Sequence, residues 1–144
     1  MALASLLSGM ALTNAGLGAV HGFAAVIGGM FGAPHGAVCA ALLAHVTEGN
    51  LRAVRARTDA AAALHRFEDL AQLLTRDPKA APEDGVLWLE ALVSELEIPG
   101  LAAYGVSERE VGTIVEKAAR ASSMKGNPVE LTPEELTAIL TAAL

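Results

Sequence analysis

The sequence predicts an all-α fold, a bundle of several helices around one core. No run of residues alternates between apolar and polar side chains over enough positions to indicate a strand. Aromatic residues make up only 3% of a chain that is 53% hydrophobic, so Ala, Leu and Val must fill the core. These side chains suit helices that approach one another closely. With 144 residues, the chain fits a single domain, 1–144, with its own hydrophobic core.

Three helices are predicted in the N-terminal third of the chain. Residues 1–14, MALASLLSGMALTN, place their large apolar side chains on one side of a helix that has no N-capping residue before it. A second helix is expected from about residue 17 to residue 30. A third should begin at Pro34, whose missing N–H suits a first turn, and end near Glu48. The following Gly49–Asn50 is typical of a helix stop.

Four more helices are expected after a short linker. Apolar residues at helical spacing indicate one helix within residues 62–77 and another within residues 85–100, with the breaker DPKAAPEDG between them. The last two starts are marked by capping boxes, S-x-x-E at Ser107 and T-x-x-E at Thr132. Each box precedes an amphipathic pattern, which indicates an outer-layer helix.

Charge and cysteine content exclude several classes of function. The net charge of −6 and the pI near 5.1 argue against a nucleic-acid partner, because phosphate binding needs clustered Lys and Arg. The single cysteine, Cys39, excludes an internal disulfide and suits a reducing compartment, so a cytoplasmic location is expected. Cys39 itself is expected to be a small, buried filler of the core.

The N-terminal third has no Asp, Glu, Lys or Arg before Glu48, which raises the alternative of a membrane hairpin. Asn14, His21, His35 and many glycines argue against that alternative, as does the lack of basic residues at its ends. Residues 1–10 also lack the basic region of a signal peptide. Two buried helices explain the segment better, and no membrane partner is expected.

The same uncharged region contains a segment with three histidines, GLGAVHGFAAVIGGMFGAPHGAVCAALLAHV, residues 16–46. On one straight helix His21 and His35 would lie about 21 Å apart. Gly28–Gly29 and the sequence FGAPH allow the chain to turn back, so that an antiparallel helix pair would bring both imidazoles to one point. Two converging imidazoles in an apolar cavity make half of a transition-metal site. The alternative is that each histidine is a hydrogen-bonded core residue.

Other candidate ligands have weaker support. His45 is expected to cap or pack near the charged end of its helix, and His65 to be a partly exposed helix residue. Cys39 follows His35 by one turn and suggests a His–Cys zinc pair, although no second cysteine strengthens it. Neither the G-x-S-x-G frame of a serine nucleophile nor the G-x-G-x-x-G frame of a nucleotide loop is present.

The H-G-F…P-H-G frame of residues 16–46 resembles the signature of the iron-containing (group III, metal-dependent) alcohol dehydrogenase family. The sequence SSMKGNPVELTPEELTAIL resembles the closing segment of some bacterial members, so the resemblance covers essentially the whole chain. Members join an N-terminal α/β domain that holds NAD(P) to an all-helical C-terminal domain. The resemblance implies that this chain is the helical domain alone, with the nucleotide-binding domain absent.

The resemblance also implies a site. Family members bind their metal with one Asp and three His, and His21 and His35 match the last two of these ligands; the others are expected before Met1. The implied reaction is hydride transfer between an alcohol or aldehyde and NAD(P), with Fe²⁺ or Zn²⁺ as the Lewis acid. Glycines around the two histidines are expected to leave space for substrate and nicotinamide. Ala25 stands where many members carry a further histidine near the nicotinamide.

These implications lead to expectations for the isolated chain. It should bind metal weakly or not at all, because affinity grows with the number of ligands, and it should be inactive without NAD(P) bound by another domain. Uncovered apolar surface should favour a homo-oligomer. The alternative function is a non-catalytic, self-associating helical remnant or scaffold.

Overall fold

The computed structural model describes residues 1–57 and 61–144, and within these residues it contains seven α-helices, two short 3₁₀ turns and no strand. The prediction of an all-α fold is therefore confirmed. The helices are α1 (Ala2–Ala15), α2 (Ala19–Phe31), α3 (His35–Ala56), α4 (Ala61–Thr75), α5 (Pro82–Glu95), α6 (Glu108–Ala119) and α7 (Pro133–Ala142), and the 3₁₀ turns span Leu101–Tyr104 and Ser122–Gly126.

The central core lies between α2, α3, α6 and α7. Phe23 and Ile27 of α2 meet Leu42 of α3, Ile114 of α6 and Leu140 of α7, and all five side chains are fully buried. The apolar positions predicted for the last two helices are the buried ones, which confirms their amphipathic pattern. This core fixes the relative position of α2 and α3, the two helices that carry the candidate ligands.

Helices α4 and α5 form a pair that packs on α3. They approach closely where Gly85 faces Ala71, since a Cβ on Gly85 would lie 3.0 Å from both the Cα and the Cβ of Ala71. A glycine in a helix interior usually costs about 1 kcal/mol relative to alanine. Here the missing side chain is what allows the two helices to touch.

The predicted end of α3 near Glu48 is wrong, because the helix continues to Ala56. Gly49–Asn50 is buried inside the helix and does not terminate it. A Cβ on Gly49 would overlap the side chain of Ile139, so this glycine allows α3 and α7 to pack closely. The linker predicted after Asn50 is thus helical as far as Ala56, and residues 58–60 lie outside the described residues.

The two predicted capping boxes are present. The Ser107 backbone N–H donates to a carboxylate oxygen of Glu110 at 3.0 Å. At the start of α7 the exchange is reciprocal: the Thr132 N–H donates to Glu135 at 2.8 Å, and the Glu135 N–H donates to the Thr132 hydroxyl at 3.2 Å. Each box pairs N–H groups that have no partner within the helix, which defines where α6 and α7 begin.

Helix α1 confirms the first predicted helix, but none of its residues is buried. Its large apolar side chains are exposed, from Leu12 at 48% to Leu3 at 68%. The chain turns at Gly16, where φ is +76°, and the direction of the chain changes by 100° between α1 and α2. Among the described residues, no single helix is long and apolar enough to cross a membrane; α1 and α2 meet that criterion only as this bent pair.

Candidate metal centre

The turn between α2 and α3 brings His21 and His35 together. Helix α2 ends at Phe31 and is capped by Gly32, whose φ of +66° reverses the chain and whose N–H donates to the carbonyl of Gly28 at 3.0 Å. Pro34, with φ −61° and extended ψ, then precedes the first turn of α3. As a result, the two imidazole rings lie with centroids 5.3 Å apart and planes tilted by 49°.

Cys39 belongs to the same cluster. It lies one turn after His35 on α3, and its Sγ is 3.5 Å from His35 Nε2. One ligand atom from each of His21, His35 and Cys39 lies within 4.8 Å of the other two. Sequence spacing indicated the His35–Cys39 pair, but only the fold brings His21 to the same point. Cys39 is also only partly buried, so the expectation of a small, buried filler is wrong.

Burial has opposite effects on the pKa values of the two partly buried groups of this cluster. It lowers the pKa of His21 below its usual 6.5, with the nearby charge of His35 as the second cause, and it raises the pKa of the Cys39 thiol. Both shifts favour the neutral form. His21 is therefore a neutral imidazole at pH 7, which is the form that binds metal ions.

A trough of about 480 Å³ runs beside the cluster, which is a volume typical of a small-molecule site. His21 and Cys39 line it together with small and aliphatic side chains from the start of α2 and the middle of α3, and among the residues that the structure describes no Asp, Glu, Lys or Arg lines it. Its polar lining includes Asn50, Asn127 and Thr47. An uncharged, mostly apolar trough beside potential metal ligands suits a small neutral organic molecule.

Two asparagines hold the start of α2 in place, and their pairing was not predicted from the sequence. Asn50 Nδ2 donates to Asn127 Oδ1 at 3.2 Å, and Asn127 Nδ2 donates to Asn50 Oδ1 at 2.7 Å. Asn127 Oδ1 also accepts from the backbone N–H of Ala19 at 3.1 Å. Because Ala19 begins α2, this bond anchors the turn that carries His21. A polar residue inside the apolar face of α3, Asn50, was the only available signal of this network.

The glycines near the histidines divide into two groups. Gly29 and Gly36 face open space, as expected for positions that leave room for a ligand. Gly18 and Gly22 instead allow the segment 122–127 to approach the start of α2. A Cβ added at Gly18 would lie 2.9 Å from Asn127 Oδ1, and a Cβ added at Gly22 would lie 2.7 Å from Met124 Cε. For these two, the expectation of open space is wrong.

The remaining histidines lie outside the cluster. His45 is half-buried in the middle of α3, because that helix continues past its predicted end. His65 is exposed on α4, where its ring pairs with Glu68 at 3.2 Å and Asp69 at 4.0 Å. These two acidic neighbours raise the pKa of His65, chiefly through the hydrogen bond to Glu68. Neither histidine joins a group of three potential ligands among the described residues.

A larger cavity, of about 740 Å³, opens between the C-terminal end of α3 and α4. Arg57, Arg66 and Glu130 contribute its charged groups, and Phe67 and Leu70 part of its apolar wall. No imidazole and no thiol lines it within residues 1–57 and 61–144. The chemistry of its lining therefore gives no reason to place a metal there.

Comparison with known proteins identifies the relatives of this chain. The sequence profile described as "Fe-containing alcohol dehydrogenase family, C-terminal" matches residues 1–144. Alcohol dehydrogenase 4 of Schizosaccharomyces pombe is 37% identical over the whole chain, and 1,3-propanediol dehydrogenase of Klebsiella pneumoniae is 36% identical over 99% of it. The matches cover 32% and 36% of those two proteins, so the chain spans about a third of their length.

The fold agrees with the sequence comparison. The crystal structure of a 1,3-propanediol oxidoreductase superposes with a TM-score of 0.85 at 32% identity, over 98% of this chain and 36% of that one. An alcohol dehydrogenase from Oenococcus oeni superposes with a TM-score of 0.79 at 31% identity, over 96% of this chain and 35% of that one.

Proposed function

The chain belongs to the iron-containing alcohol dehydrogenase family, within its C-terminal part, and we therefore propose that it is the metal-binding and substrate domain of an NAD(P)-dependent alcohol dehydrogenase. The observation that carries this proposal is the convergence of His21 and His35, with ring centroids 5.3 Å apart, beside an uncharged trough. The two imidazoles are the metal ligands in this proposal. The trough receives the alcohol or aldehyde.

The donor set fits a divalent transition metal. Imidazole nitrogen is a good ligand for Fe²⁺ and Zn²⁺ alike, and His21 is already in the neutral form that coordination requires. His35 is exposed at the start of α3, and the space next to Gly36 is open, so its ring can adjust to a shared ion. A bound cation would supply Lewis-acid chemistry at the alcohol or carbonyl oxygen.

The other residues of the trough orient the substrate and limit the access of water. Apolar side chains from the start of α2 and from α3 provide a surface for the hydrocarbon part of a small alcohol. The asparagine pair keeps the first turn of α2, and with it His21, fixed relative to α3. Such positioning matters because the substrate oxygen and the two ligands must meet within a few tenths of an ångström.

Hydride transfer also needs a site for the nicotinamide, in addition to the residues described above. NAD(P) is proposed to bind to another domain, as in the two-domain arrangement that the sequence resemblance implies. A relative with 30% identity, from Bacillus methanolicus, is named as an NAD-dependent methanol dehydrogenase, which supports a nicotinamide as the hydride carrier. With two of the four expected ligands, the isolated chain should bind metal weakly and should not catalyse turnover.

An anaerobic calorimetric titration of Zn²⁺ and Fe²⁺ into the purified chain tests the proposal. Saturable binding should occur in the wild type and should be lost in both His21→Ala and His35→Ala. His65→Ala is the matched control, since His65 is exposed on α4 and pairs with acidic residues. Binding that is equally strong in all variants, or absent throughout, would contradict the proposed ligands. Dehydrogenase turnover by the isolated chain would contradict its proposed inactivity.

The alternative function, self-association without catalysis, is supported by one observation. Helix α1 exposes Leu6 and Leu7 by 61% and 54%, and none of its residues is buried. A second copy of the chain is the proposed occupant of this apolar surface, and it would also account for the expected homo-oligomer.

Sedimentation measurements test the self-association. The wild type should form a dimer or larger oligomer, and Leu6→Glu with Leu7→Glu should shift it to monomer. The control is Leu73→Glu with Leu96→Glu, which adds the same charge at leucines that are 77% and 61% exposed on other parts of the fold. A monomeric wild type, or equal effects of the two double variants, would rule out α1 as the interface.

A further inference from the structure

We propose that Asn50 and Thr47 form a second polar subsite in the trough, which binds a hydroxyl group of the substrate. The proposed substrate is an alcohol or aldehyde with a further hydroxyl at the far end of a hydrocarbon chain, such as a straight-chain terminal diol. This assignment rests on the proposed function, in which the reacting oxygen lies at the other end of the trough, beside His21.

Asn50 has hydrogen-bonding capacity that the fold does not use. Asn50 and Asn127 form a reciprocal amide pair, in which each Nδ2 donates to the Oδ1 of the other, at 3.2 and 2.7 Å. The second N–H of each amide points away from its partner. For Asn127 this N–H donates to the Val129 carbonyl at 2.7 Å, and the Asn127 Oδ1 also accepts from Ala19. For Asn50, no second acceptor lies in the described part of the chain.

This spare N–H belongs to a buried side chain that lines the trough. Asn50 is 6% exposed and is the one buried polar residue among those that the structure describes. Buried polar groups in native proteins usually have a partner for each donor, because a buried donor without one is unfavourable. A ligand oxygen in the trough would provide that partner.

Thr47 supplies the complementary acceptor. It precedes Asn50 by three residues on α3, so the two side chains share a face of the helix, and both residues line the trough. The Thr47 hydroxyl donates its proton to the Leu43 carbonyl at 2.7 Å, which leaves the lone pairs of Oγ1 to accept from a ligand. A hydroxyl can accept from Asn50 and donate to Thr47 at the same time. A carboxylate cannot donate and an ammonium cannot accept, so the subsite selects a neutral hydroxyl.

The trough between its two ends suits a hydrocarbon chain. Cys39, beside the histidines, and Asn50 are eleven residues apart on α3, which corresponds to about 16 Å along the helix. Leu43 and Val46 line the trough between them. Even with side chains reaching in from both ends, several methylene groups are needed to join a hydroxyl at Asn50 to an oxygen beside His21.

Nuclear magnetic resonance of the ¹⁵N-labelled full chain tests the proposal, with octanediol, which has a hydroxyl at each end, and octanol as probes. Octanediol should shift the side-chain amide signals of Asn50 saturably and should bind about 5- to 10-fold more tightly than octanol, as expected for one or two added hydrogen bonds. The direction of this difference is diagnostic, because the hydrophobic effect alone would favour octanol. The side-chain amide of Gln72 on α4, outside the trough, is the internal control.

A substitution at Thr47 tests the acceptor. Thr47→Val removes the hydroxyl and keeps the branched shape of the side chain, so octanediol should lose most of its advantage while octanol binds as in the wild type. Thr137→Val is the matched control, since Thr137 makes the same bond to a carbonyl of its own helix, at 2.8 Å, and is exposed on α7. It should leave the preference for octanediol unchanged. A preference that survives in Thr47→Val would contradict the role of Thr47.

Zn²⁺ tests whether both ends of the trough bind one molecule. With one hydroxyl at the ion and the other at Asn50, Zn²⁺ should tighten octanediol binding in the wild type. In His21→Ala this tightening should be lost, whereas the shift of the Asn50 signals should remain. Octanediol binding that is equally strong with and without Zn²⁺ would contradict a substrate that joins the two ends.

The outcomes separate this proposal from the proposed function. If octanol binds at least as tightly as octanediol, or if the Asn50 signals do not respond, the second subsite is ruled out. The proposed function then still stands, provided that Zn²⁺ binding depends on His21 and His35. Zn²⁺ binding that does not depend on these two histidines would overturn the proposed function, and with it the place of the reacting oxygen, whatever the Asn50 signals show.

Discussion

Replacing Asn127 by Ala should destabilise both the fold and the metal site, because this side chain joins three parts of the chain. Its Oδ1 accepts from the Ala19 N–H at 3.1 Å and from Asn50 Nδ2 at 3.2 Å. Its Nδ2 donates to Asn50 Oδ1 and to the Val129 carbonyl, both at 2.7 Å. The substitution removes all four hydrogen bonds and leaves Asn50, which is only 6% exposed, without these partners.

The size of the effect follows from these contacts. At about 1 kcal/mol of net stability per hydrogen bond, the loss is about 3–4 kcal/mol, and the buried polar groups left without partners keep it near the upper end. For a chain of this size, each kcal/mol corresponds to a shift of about 3 °C in Tm, so Tm should fall by roughly 10 °C. Zn²⁺ affinity should fall as well, because the Ala19 contact fixes the turn that carries His21.

Thermal and urea unfolding followed by circular dichroism measure the stability, and calorimetry measures Zn²⁺ affinity. Asn14→Ala is the control, since the Asn14 side chain is exposed and donates to the Met10 carbonyl of its own helix. In the double variant Asn50→Ala with Asn127→Ala, the total loss should be smaller than the sum of the single losses, because the two residues share two of the bonds. If Asn127→Ala cost no more stability than Asn14→Ala, the argument would be refuted.

Two further predictions concern packing and pH. Gly49→Ala should destabilise the fold by about 1–2 kcal/mol, because overpacking against the buried Ile139 outweighs the gain in helix propensity. Gly112→Ala is the control, since an added Cβ there meets nothing within 4 Å, and it should stabilise the fold by up to about 1 kcal/mol. Equal thermal shifts in the two variants would contradict the predicted overlap with Ile139. The Arg57 guanidinium lowers the pKa of Glu135 below its usual 4.5, so the pair stabilises the fold above that pH and loses its contribution as pH falls through the lowered pKa. In urea titrations, the difference in unfolding free energy between wild type and Glu135→Gln should therefore be about 1 kcal/mol at pH 7 and should shrink towards pH 3. A difference that does not change with pH would contradict the stabilising role of the Arg57–Glu135 ion pair.

The helices could be predicted from the sequence because their signals are local. The 3.6-residue period of apolar side chains and the capping boxes at Ser107 and Thr132 depend only on neighbouring residues, and they located α6 and α7 closely. Gly49–Asn50 gave the wrong helix end because the role of a glycine depends on what faces it. A glycine that caps a helix cannot be distinguished in the sequence from one that, like Gly49, allows a side chain such as Ile139 to pack against the helix backbone.

The site could be predicted only in part, for a similar reason. His21 and His35 are separated by a turn with clear glycine and proline signals, so their approach was one of the two interpretations that the sequence allowed. The arrival of His21 beside Cys39 depends on the crossing of two helices, and the partnership of Asn50 with Asn127 spans 77 residues. No pattern within a short window of the sequence contains these contacts.

The hydrogen bond between Ala19 and Asn127 also has a consequence for the order of folding, because it joins residues 108 positions apart. Closing a flexible loop of that length costs about 4 kcal/mol in chain entropy, which must be offset by contacts made elsewhere first. The helix pairs that are close in sequence can form without this closure, whereas the first turn of α2 gains this bond only once the segment that carries Asn127 packs against it. During synthesis, the pocket around His21 is therefore completed only when the C-terminal segment has left the ribosome. A chain truncated before Asn127 would keep both histidines and lose the hydrogen bond that holds the first turn of α2, and with it His21, in place.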